Sequence, residues 1–122
     1  MAYNHIDNEN VWKNIHWLMK ECCSCEIYFS CSIDIGFYIV HGIGTVIGSR
    51  HKIGKGFKIY QGCTIGQRKP FVDKCVIGDN VTMFSNSSVL GSVTIGDNVK
   101  IGANTLVLKD VPSNTTVYGI FK

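Results

Sequence analysis

A repeat of six residues constrains the fold of this chain more than any other feature of its sequence. Every sixth position from residue 47 to residue 107 is apolar, which gives eleven such positions. They are Ile47, Ile53, Ile59, Ile65, Phe71, Ile77, Met83, Val89, Ile95, Ile101 and Val107. This period matches neither the 3.6-residue turn of an α-helix nor the two-residue alternation of a strand. Each group of six residues therefore predicts a short strand followed by a corner.

Small and turn-favouring residues follow the apolar positions, as in the sequence IGDNV at 77–81 and again at 95–99. Gly, Asn and Asp favour the backbone conformations that a corner needs. A second small side chain occupies the fifth place of several groups: Val81, Ser87, Val93, Val99 and Thr105. Three groups then close one triangular coil. Residues 47–112 predict an all-β solenoid of a little under four coils, each buried against its neighbours.

Between residues 65 and 77 the count of six continues, but the small corner residues are replaced. The residues found there are Gln67, Arg68, Lys69, Pro70, Asp73 and Lys74. We therefore interpret this segment as a coil that carries a protruding loop, and loops on rigid scaffolds often hold functional sites.

The N-terminal segment has a helical pattern instead. A candidate N-cap at Asp7 or Asn8 precedes apolar residues at helical spacing, namely Val11, Ile15, Leu18, Met19 and Cys22. We expect a short helix that covers the open end of the solenoid. The chain then divides into a helical cap (1–26), a β-helix domain (27–117) and a short tail (118–122). The helix is too short and polar to span a bilayer, although Trp12 and Trp17 permit a peripheral membrane contact.

The composition argues against several classes of protein. With 122 residues, 45% of them apolar, the chain fits one small globular domain that gains from oligomerising. Its net charge of +3 comes from scattered lysines, which argues against a nucleic-acid partner. Without a signal segment, we expect a cytoplasmic protein whose six cysteines are reduced. The CCSC cluster at 22–25 lacks a second pair of zinc ligands, so we expect no metal and small buried side chains instead.

Three stretches of sequence carry a resemblance to a known family. Glu26 lies fifteen residues ahead of His41 in IGFYIVHGIGTVIG, IYQGCTIGQR spans 59–68, and VTIGDNVKIGANTLVLKDVPSNT spans 93–115. They resemble the hexapeptide-repeat acyltransferases, in particular the serine acetyltransferases and, more closely, the bacterial capsule and exopolysaccharide O-acetyltransferases. The resemblance implies a left-handed parallel β-helix and a homotrimer with acetyl-CoA bound in clefts between subunits.

The family's catalytic histidine stands at the place of His41, and its carboxylate partner at the place of Glu26. A histidine is suited to removing a hydroxyl proton near neutral pH, and a carboxylate on its other nitrogen would hold the tautomer. His41 is therefore the expected general base of a direct acetyl transfer. A covalent role for Cys63 is disfavoured, because a buried thiol is expected at its fifth place. The apolar row before Ile47 is out of step by two residues, so the repeat does not predict where the ring points.

By the same resemblance, the pantetheine groove of the family would run past Gln67, Ser85, Lys100 and Ala103. A glycine or alanine is usual at the first two positions, and Lys100 is either a partner for coenzyme phosphate or a solvated lysine. His51, at a fifth place, is either a second ring in the cleft or a packed residue. His41 and His51 do not supply the three histidines that the zinc carbonic anhydrases of this fold require.

The acceptor is where the sequence departs from the serine acetyltransferases. Val40 replaces their aspartate before the catalytic histidine, and Asp73-Lys74 replaces their Arg-His pair in the loop. Loss of these charged partners removes hydrogen bonds worth about 1.5 to 3 kcal/mol each for zwitterionic serine. The sequence therefore favours a sugar hydroxyl of a small molecule or glycan, as in polysaccharide biosynthesis, with serine as the alternative. A non-catalytic trimerisation module is a further alternative, disfavoured because it has no need for Glu26 and His41.

Overall fold

The computed structural model describes residues 13–15, 18, 21, 23–28 and 30–122. Within these residues the chain forms fifteen strands of two or three residues each, all paired in parallel. The strands are β1 (Glu26–Ile27), β2 (Ser32–Ile33), β3 (Tyr38–Ile39), β4 (Val46–Ile47), β5 (Lys52–Ile53), β6 (Lys58–Ile59), β7 (Thr64–Gly66), β8 (Val76–Ile77), β9 (Thr82–Met83), β10 (Ser88–Leu90), β11 (Thr94–Ile95), β12 (Lys100–Ile101), β13 (Leu106–Val107), β14 (Thr116–Val117) and β15 (Ile120–Phe121).

The strands stack into three sheets that form the faces of a prism. Sheet A has the order β1-β4-β7-β10-β13-β15, sheet B the order β2-β5-β8-β11, and sheet C the order β3-β6-β9-β12-β14. A bridge between Ile95 and Val111 continues sheet B into the last coil. The chain passes through sheets A, B and C in turn, so the described part completes five coils. The predicted left-handed parallel β-helix is confirmed.

The repeated aliphatic residues form the core, as predicted, with one exception. Ile47, Ile65 and Val89 lie in register on sheet A and are fully buried, because each inward side chain packs between those of the coils above and below. Phe71, counted with them in the sequence, is 83% exposed and lies in an inserted loop between β7 and β8. The loop has replaced one six-residue group, which corrects the prediction for Phe71 and the count of coils.

The IGDN repeats build the corner between sheets B and C. Asn80 and Asn98 adopt positive φ values of 57° and 55°, a conformation that Asn tolerates better than most residues. The carboxylate of Asp79 accepts the N–H of Lys55 at 2.9 Å, and that of Asp97 accepts the N–H of Asp79 at 2.7 Å. Each aspartate therefore satisfies a backbone donor of the preceding coil, and the corners stack in register.

The structure describes the C-terminal end of the chain fully and the N-terminal end only in part. Residues 13–15 are helical, and most of the predicted cap helix, including Trp12 and Trp17, lies outside the described residues. The segment 118–122 predicted as a tail contains β15, which pairs with β13 through Leu106 and Ile120. In the described part of the chain, no helix is long and apolar enough to cross a membrane.

His51 lies inside the prism rather than in a cleft. Its ring is 1% exposed, and its Nδ1 accepts the N–H of Cys75 at 2.9 Å, while Nε2 has no hydrogen-bond partner. Burial, with a smaller contribution from the positive charge of Arg50, lowers the pKa of His51 below its ordinary value of 6.5. Of the two alternatives from the sequence, the packed residue is confirmed.

We expect this buried ring to make the fold sensitive to acid. Because the folded pKa of His51 lies below the unfolded value, the unfolded chain binds the proton more tightly, and stability falls as the pH drops below 6.5. Protonated Nδ1 can no longer accept the Cys75 N–H. Urea unfolding at pH 7.5 and pH 5.5 checks this. His51→Gln, which keeps an acceptor without a titration, should show the smaller pH difference; an equal difference in both proteins would contradict the prediction.

Candidate functional site at the corner between sheets C and A

The structure shows why the repeat is out of step around position 41. In the ladder of backbone hydrogen bonds, Val40 occupies the place that Tyr60 has in the next coil, and Ile43 occupies the place of Gln61. Tyr60 and Gln61 are consecutive in sequence, whereas Val40 and Ile43 are three residues apart. His41 and the glycine after it are therefore two residues inserted into an otherwise regular corner.

The inserted histidine lies beside a column of aromatic side chains. His41 is exposed, and its ring makes an edge contact with Tyr60 at 6.3 Å between centroids and 66° between planes. Tyr60 in turn stacks on Phe84, with centroids 5.2 Å apart and planes at 27°. Edge and offset-stacked arrangements of this kind are favourable for aromatic rings. The column runs along the corner from the imidazole toward the C-terminal coils.

A groove of about 400 Å³ continues this column. Its lining residues are Tyr60, Phe84, Ser85, Lys100, Gly102, Ala103, Thr116 and Tyr118. The groove gathers three of the four residues assigned to coenzyme binding from the sequence, namely Ser85, Lys100 and Ala103. Its walls are largely apolar, and the exposed Lys100 supplies a positive charge at its edge. Such a site fits an elongated ligand with an apolar arm and an anionic end.

The fourth residue, Gln67, lies elsewhere in the chain. It follows β7 at the corner between sheets A and B, where its amide nitrogen donates to the carbonyl of Asp73 at 3.0 Å. Its amide oxygen accepts the N–H of Phe71 at 3.4 Å. Within one chain, Gln67 therefore helps to shape the inserted loop and does not line the groove.

Backbone hydrogen bonds place Glu26 close to the corner that carries His41. The N–H of Glu26 donates to the carbonyl of Thr45 at 2.9 Å, and the N–H of Gly44 donates to the carbonyl of Ser24 at 2.7 Å. A hydrogen bond with Glu26, together with the charge of that carboxylate, raises the pKa of Tyr28. Among the described residues no hydrogen bond or ion pair joins Glu26 to His41, so the expected orientation of the imidazole by Glu26 stays a prediction.

The sequence patterns did not predict the aromatic residues that line the groove. Tyr60, Phe84 and Tyr118 each follow an inward residue directly, in the place that Gly102 has after β12. A large aromatic side chain at a place otherwise suited to a small residue was the available signal. That signal is weak, because single aromatic side chains are common on protein surfaces.

The burial of Cys63 and Cys75 indicates that their thiols have structural roles. Cys63 is fully buried, as expected from its fifth place, and burial raises the pKa of Cys75 to about 11. A thiol with a raised pKa carries little thiolate and is a poor nucleophile. Cys25, in the CCSC cluster, is buried while Cys23 is exposed. Residues 13–15, 18, 21, 23–28 and 30–122 contain no group of three His, Cys, Asp or Glu side chains placed to hold a metal ion.

Comparison with known proteins connects this architecture to a family of enzymes. The model of the bacterial transferase hexapeptide (six repeats) family matches residues 74–109. Serine acetyltransferase from Staphylococcus xylosus is 45% identical over 132 residues, covering 98% of this chain and 60% of the relative. Serine acetyltransferase from Staphylococcus epidermidis is 37% identical, covering 98% of this chain and 61% of the relative. The chain thus spans about three fifths of the length of these relatives.

Solved structures agree with the sequence comparison. Serine acetyltransferase from Neisseria gonorrhoeae, in complex with serine, matches with a TM-score of 0.87 at 30% identity, over 97% of this chain and 48% of that one. Serine acetyltransferase 1 from Entamoeba histolytica, in complex with L-cysteine, has a TM-score of 0.81 at 32% identity, over 95% and 46% of the two chains. The closer similarity to exopolysaccharide O-acetyltransferases that the sequence predicted is not supported by these comparisons.

Proposed function

We propose that this chain belongs to the hexapeptide-repeat transferase family and transfers an acetyl group from acetyl-CoA to a hydroxyl group, because it is similar to serine acetyltransferases over almost its whole length. The observation that carries the proposal is the placement of His41. An insertion pushes this imidazole out of a regular corner, at the head of a groove that holds Ser85, Lys100 and Ala103. A purely structural coil has no need for such an insertion.

The residues of the corner suggest how the reaction proceeds. His41 accepts the proton of the acceptor hydroxyl as its oxygen attacks the thioester carbon, and the resulting imidazolium returns a proton to the departing thiolate. Tyr60 and Phe84 form an apolar wall for the pantetheine arm, and Lys100 pairs with a phosphate at the edge of the groove. Glu26 would stabilise the imidazolium if its carboxylate turned from Tyr28 toward His41.

Serine is the first candidate for the acceptor. The relatives from Staphylococcus are named serine acetyltransferases, and the structure from Neisseria gonorrhoeae contains serine. These names favour serine over the sugar hydroxyl that the sequence alone favoured. We therefore propose serine O-acetylation as the leading activity.

A sugar hydroxyl is the second candidate, and one observation favours it. The carboxylate of Asp73 is already bonded to the N–H groups of Arg68 and Lys69 within the loop, and half-buried Val40 precedes His41. Neither residue offers a free charge to an amino acid. A neutral acceptor such as a sugar needs no charged partner at these positions, so it would lose no binding energy there.

Release of free thiol from acetyl-CoA tests the proposal. The assay is run with L-serine, a panel of sugars and a panel of nucleotide-linked sugars. Release that depends on L-serine supports the first candidate, and release that depends on a sugar supports the second. A protein that releases no thiol with any acceptor, and that coenzyme A does not protect against thermal unfolding, would be the non-catalytic trimerisation module instead.

We also propose that the active assembly is a homotrimer with sites between subunits. The loop that carries Gln67 and the groove below His41 lie at different corners of one prism, so a neighbouring copy is needed to bring such corners together. Sedimentation equilibrium should give a mass of three times 13.5 kDa. A monomer that retains full activity would refute the shared site.

The contact between Tyr60 and His41 leads to a prediction about the reaction. Tyr60→Ala should lower kcat/KM by about 2- to 10-fold, because an aromatic pair is worth about 0.5 to 1.5 kcal/mol. Tyr60→Phe keeps the ring contact and the stack on Phe84 and should stay near wild type. Steady-state kinetics of both variants check this. Equal losses in the two variants would instead implicate the hydroxyl group.

A further inference from the structure

Charged side chains are unevenly distributed over the corners of the β-helix. Among the described residues, the corner between sheets A and B carries five cationic side chains, Arg50, Arg68, Lys69, Lys74 and Lys109, and two carboxylates, Asp73 and Asp110. The corner between sheets B and C carries three carboxylates, Asp34, Asp79 and Asp97, and one cation, Lys55. One corner of the prism is therefore positively charged, and it lies away from the groove below His41.

The inserted loop, residues 67–74, is organised by a single buried carboxylate. One oxygen of Asp73 accepts the N–H groups of Arg68 at 3.0 Å and Lys69 at 2.7 Å, and the other accepts the hydroxyl of Ser92 at 2.9 Å. Asp73 is 8% exposed, and these hydrogen bonds, led by that from Lys69, lower its pKa. Because Asp73 meets Arg68 and Lys69 through their backbone, both cationic side chains remain exposed.

A hollow of about 470 Å³ lies under this loop. Its lining residues are Arg68, Lys69, Asp73, Leu90, Gly91, Ser92 and Leu108. Gly91 allows the aliphatic stem of Arg68 to cross it, since a β-carbon there would lie 3.2 Å from Cδ of Arg68. The hollow therefore combines two adjacent cations on its rim with two leucines in its floor.

We propose that this hollow binds a phosphate ester, with Arg68 and Lys69 as the charged contacts and Leu90 and Leu108 under the organic group. The guanidinium of Arg68 can donate two parallel hydrogen bonds to one phosphate, and the ammonium of Lys69 adds a point charge. The carboxylate of Asp73 is 8% exposed and its oxygens are bonded to three neutral donors, so the two cations outweigh its single negative charge at the rim. The volume exceeds what a lone phosphate needs, which favours a ligand with an attached organic group.

Binding of pyrophosphate, measured by isothermal titration calorimetry, tests the site without any acetyl transfer. The double variant Arg68→Gln/Lys69→Gln should bind about 10- to 100-fold more weakly, as expected for lost charged hydrogen bonds. The loop should survive, because Asp73 contacts only the backbone of these two residues. Lys52→Gln/Lys55→Gln removes the same charge from sheet B and the opposite corner and should change the affinity less than twofold.

Two further titrations, with coenzyme A and with uridine diphosphate glucose, distinguish whether the phosphate belongs to the acyl donor or to a phosphorylated acceptor. A loss of affinity for coenzyme A in the double variant assigns the hollow to the acyl donor, and a loss for the nucleotide sugar assigns it to a phosphorylated acceptor. Unchanged affinity for all three ligands, or equal weakening in the control variant, would overturn the proposal. A protein that fails to transfer acetyl groups can still pass this test, so the site and the proposed activity stand or fall separately.

Discussion

Replacing His41 by alanine is expected to lower kcat for acetyl transfer by about 10²- to 10⁴-fold, the usual contribution of a general base. Among the described residues that line the groove there is no second imidazole and no carboxylate, so no obvious substitute takes the proton. The variant should fold normally, because the side chain is exposed and lies in an insertion. Its affinity for coenzyme A should change little, since the groove below Tyr60 stays intact.

Two measurements make this prediction specific to the imidazole. The dissociation constant for coenzyme A, measured beside kcat, should stay near the wild-type value in His41→Ala, so that the loss falls on the chemical step. Ile43→Ala, at an exposed residue of the same corner, controls for disturbance of the corner and should keep near-wild-type kcat. If His41→Ala were as active as Ile43→Ala, the proton would have to leave by another route.

The period of six predicted most of the fold, and its one error has a physical reason. An apolar residue every sixth position fixes which side chains face inward, and residues such as Ile59 and Ile101 are fully buried as expected. Phe71 was misassigned because the inserted loop happens to preserve the phase of the repeat. A count of residues cannot distinguish six residues that form a coil face from six that leave it.

The candidate site was predicted less completely than the fold. Ser85, Lys100 and Ala103 meet in one groove, because residues three groups apart stack on the same corner. Gln67 follows sheet A, whereas Ser85 follows sheet C, so Gln67 lies at a different corner and does not line the groove. The break in phase before Ile47 revealed an irregularity around His41, but only the hydrogen-bond ladder shows which two residues are additional. Contacts such as that of Glu26 with Tyr28 depend on side-chain rotamers, on which the repeat imposes no constraint.

The structure also refines the choice between acceptors. Two features that the sequence linked to loss of serine binding have different explanations in the fold. Asp73 is a structural residue whose carboxylate organises the loop, which explains why it offers no free charge to an amino acid. Val40 continues the ladder of sheet C before the insertion, so its side chain is half-buried. The strongest remaining discriminator is therefore direct competition between L-serine and sugar acceptors.

Truncating one inward residue should destabilise the whole prism. Ile65→Ala is expected to lower the free energy of unfolding by about 2 to 5 kcal/mol, the cost of removing a buried aliphatic side chain and leaving a cavity. Ile65 is fully buried between Ile47 and Val89, in the central coil that also anchors the loop. Each coil is stabilised mainly by its neighbours, so a defect in the middle weakens both halves.

Ile120→Ala is the matched control, because the same atoms are removed from sheet A at a side chain that is 66% exposed. Its effect should stay within about 0.5 kcal/mol, as for most surface substitutions. Urea unfolding of both variants at one protein concentration gives the comparison, since any oligomerisation would make stability depend on concentration. Equal shifts in the two midpoints would mean that the inward row does not carry the stability of the β-helix, and the assignment of its core would have to be revised.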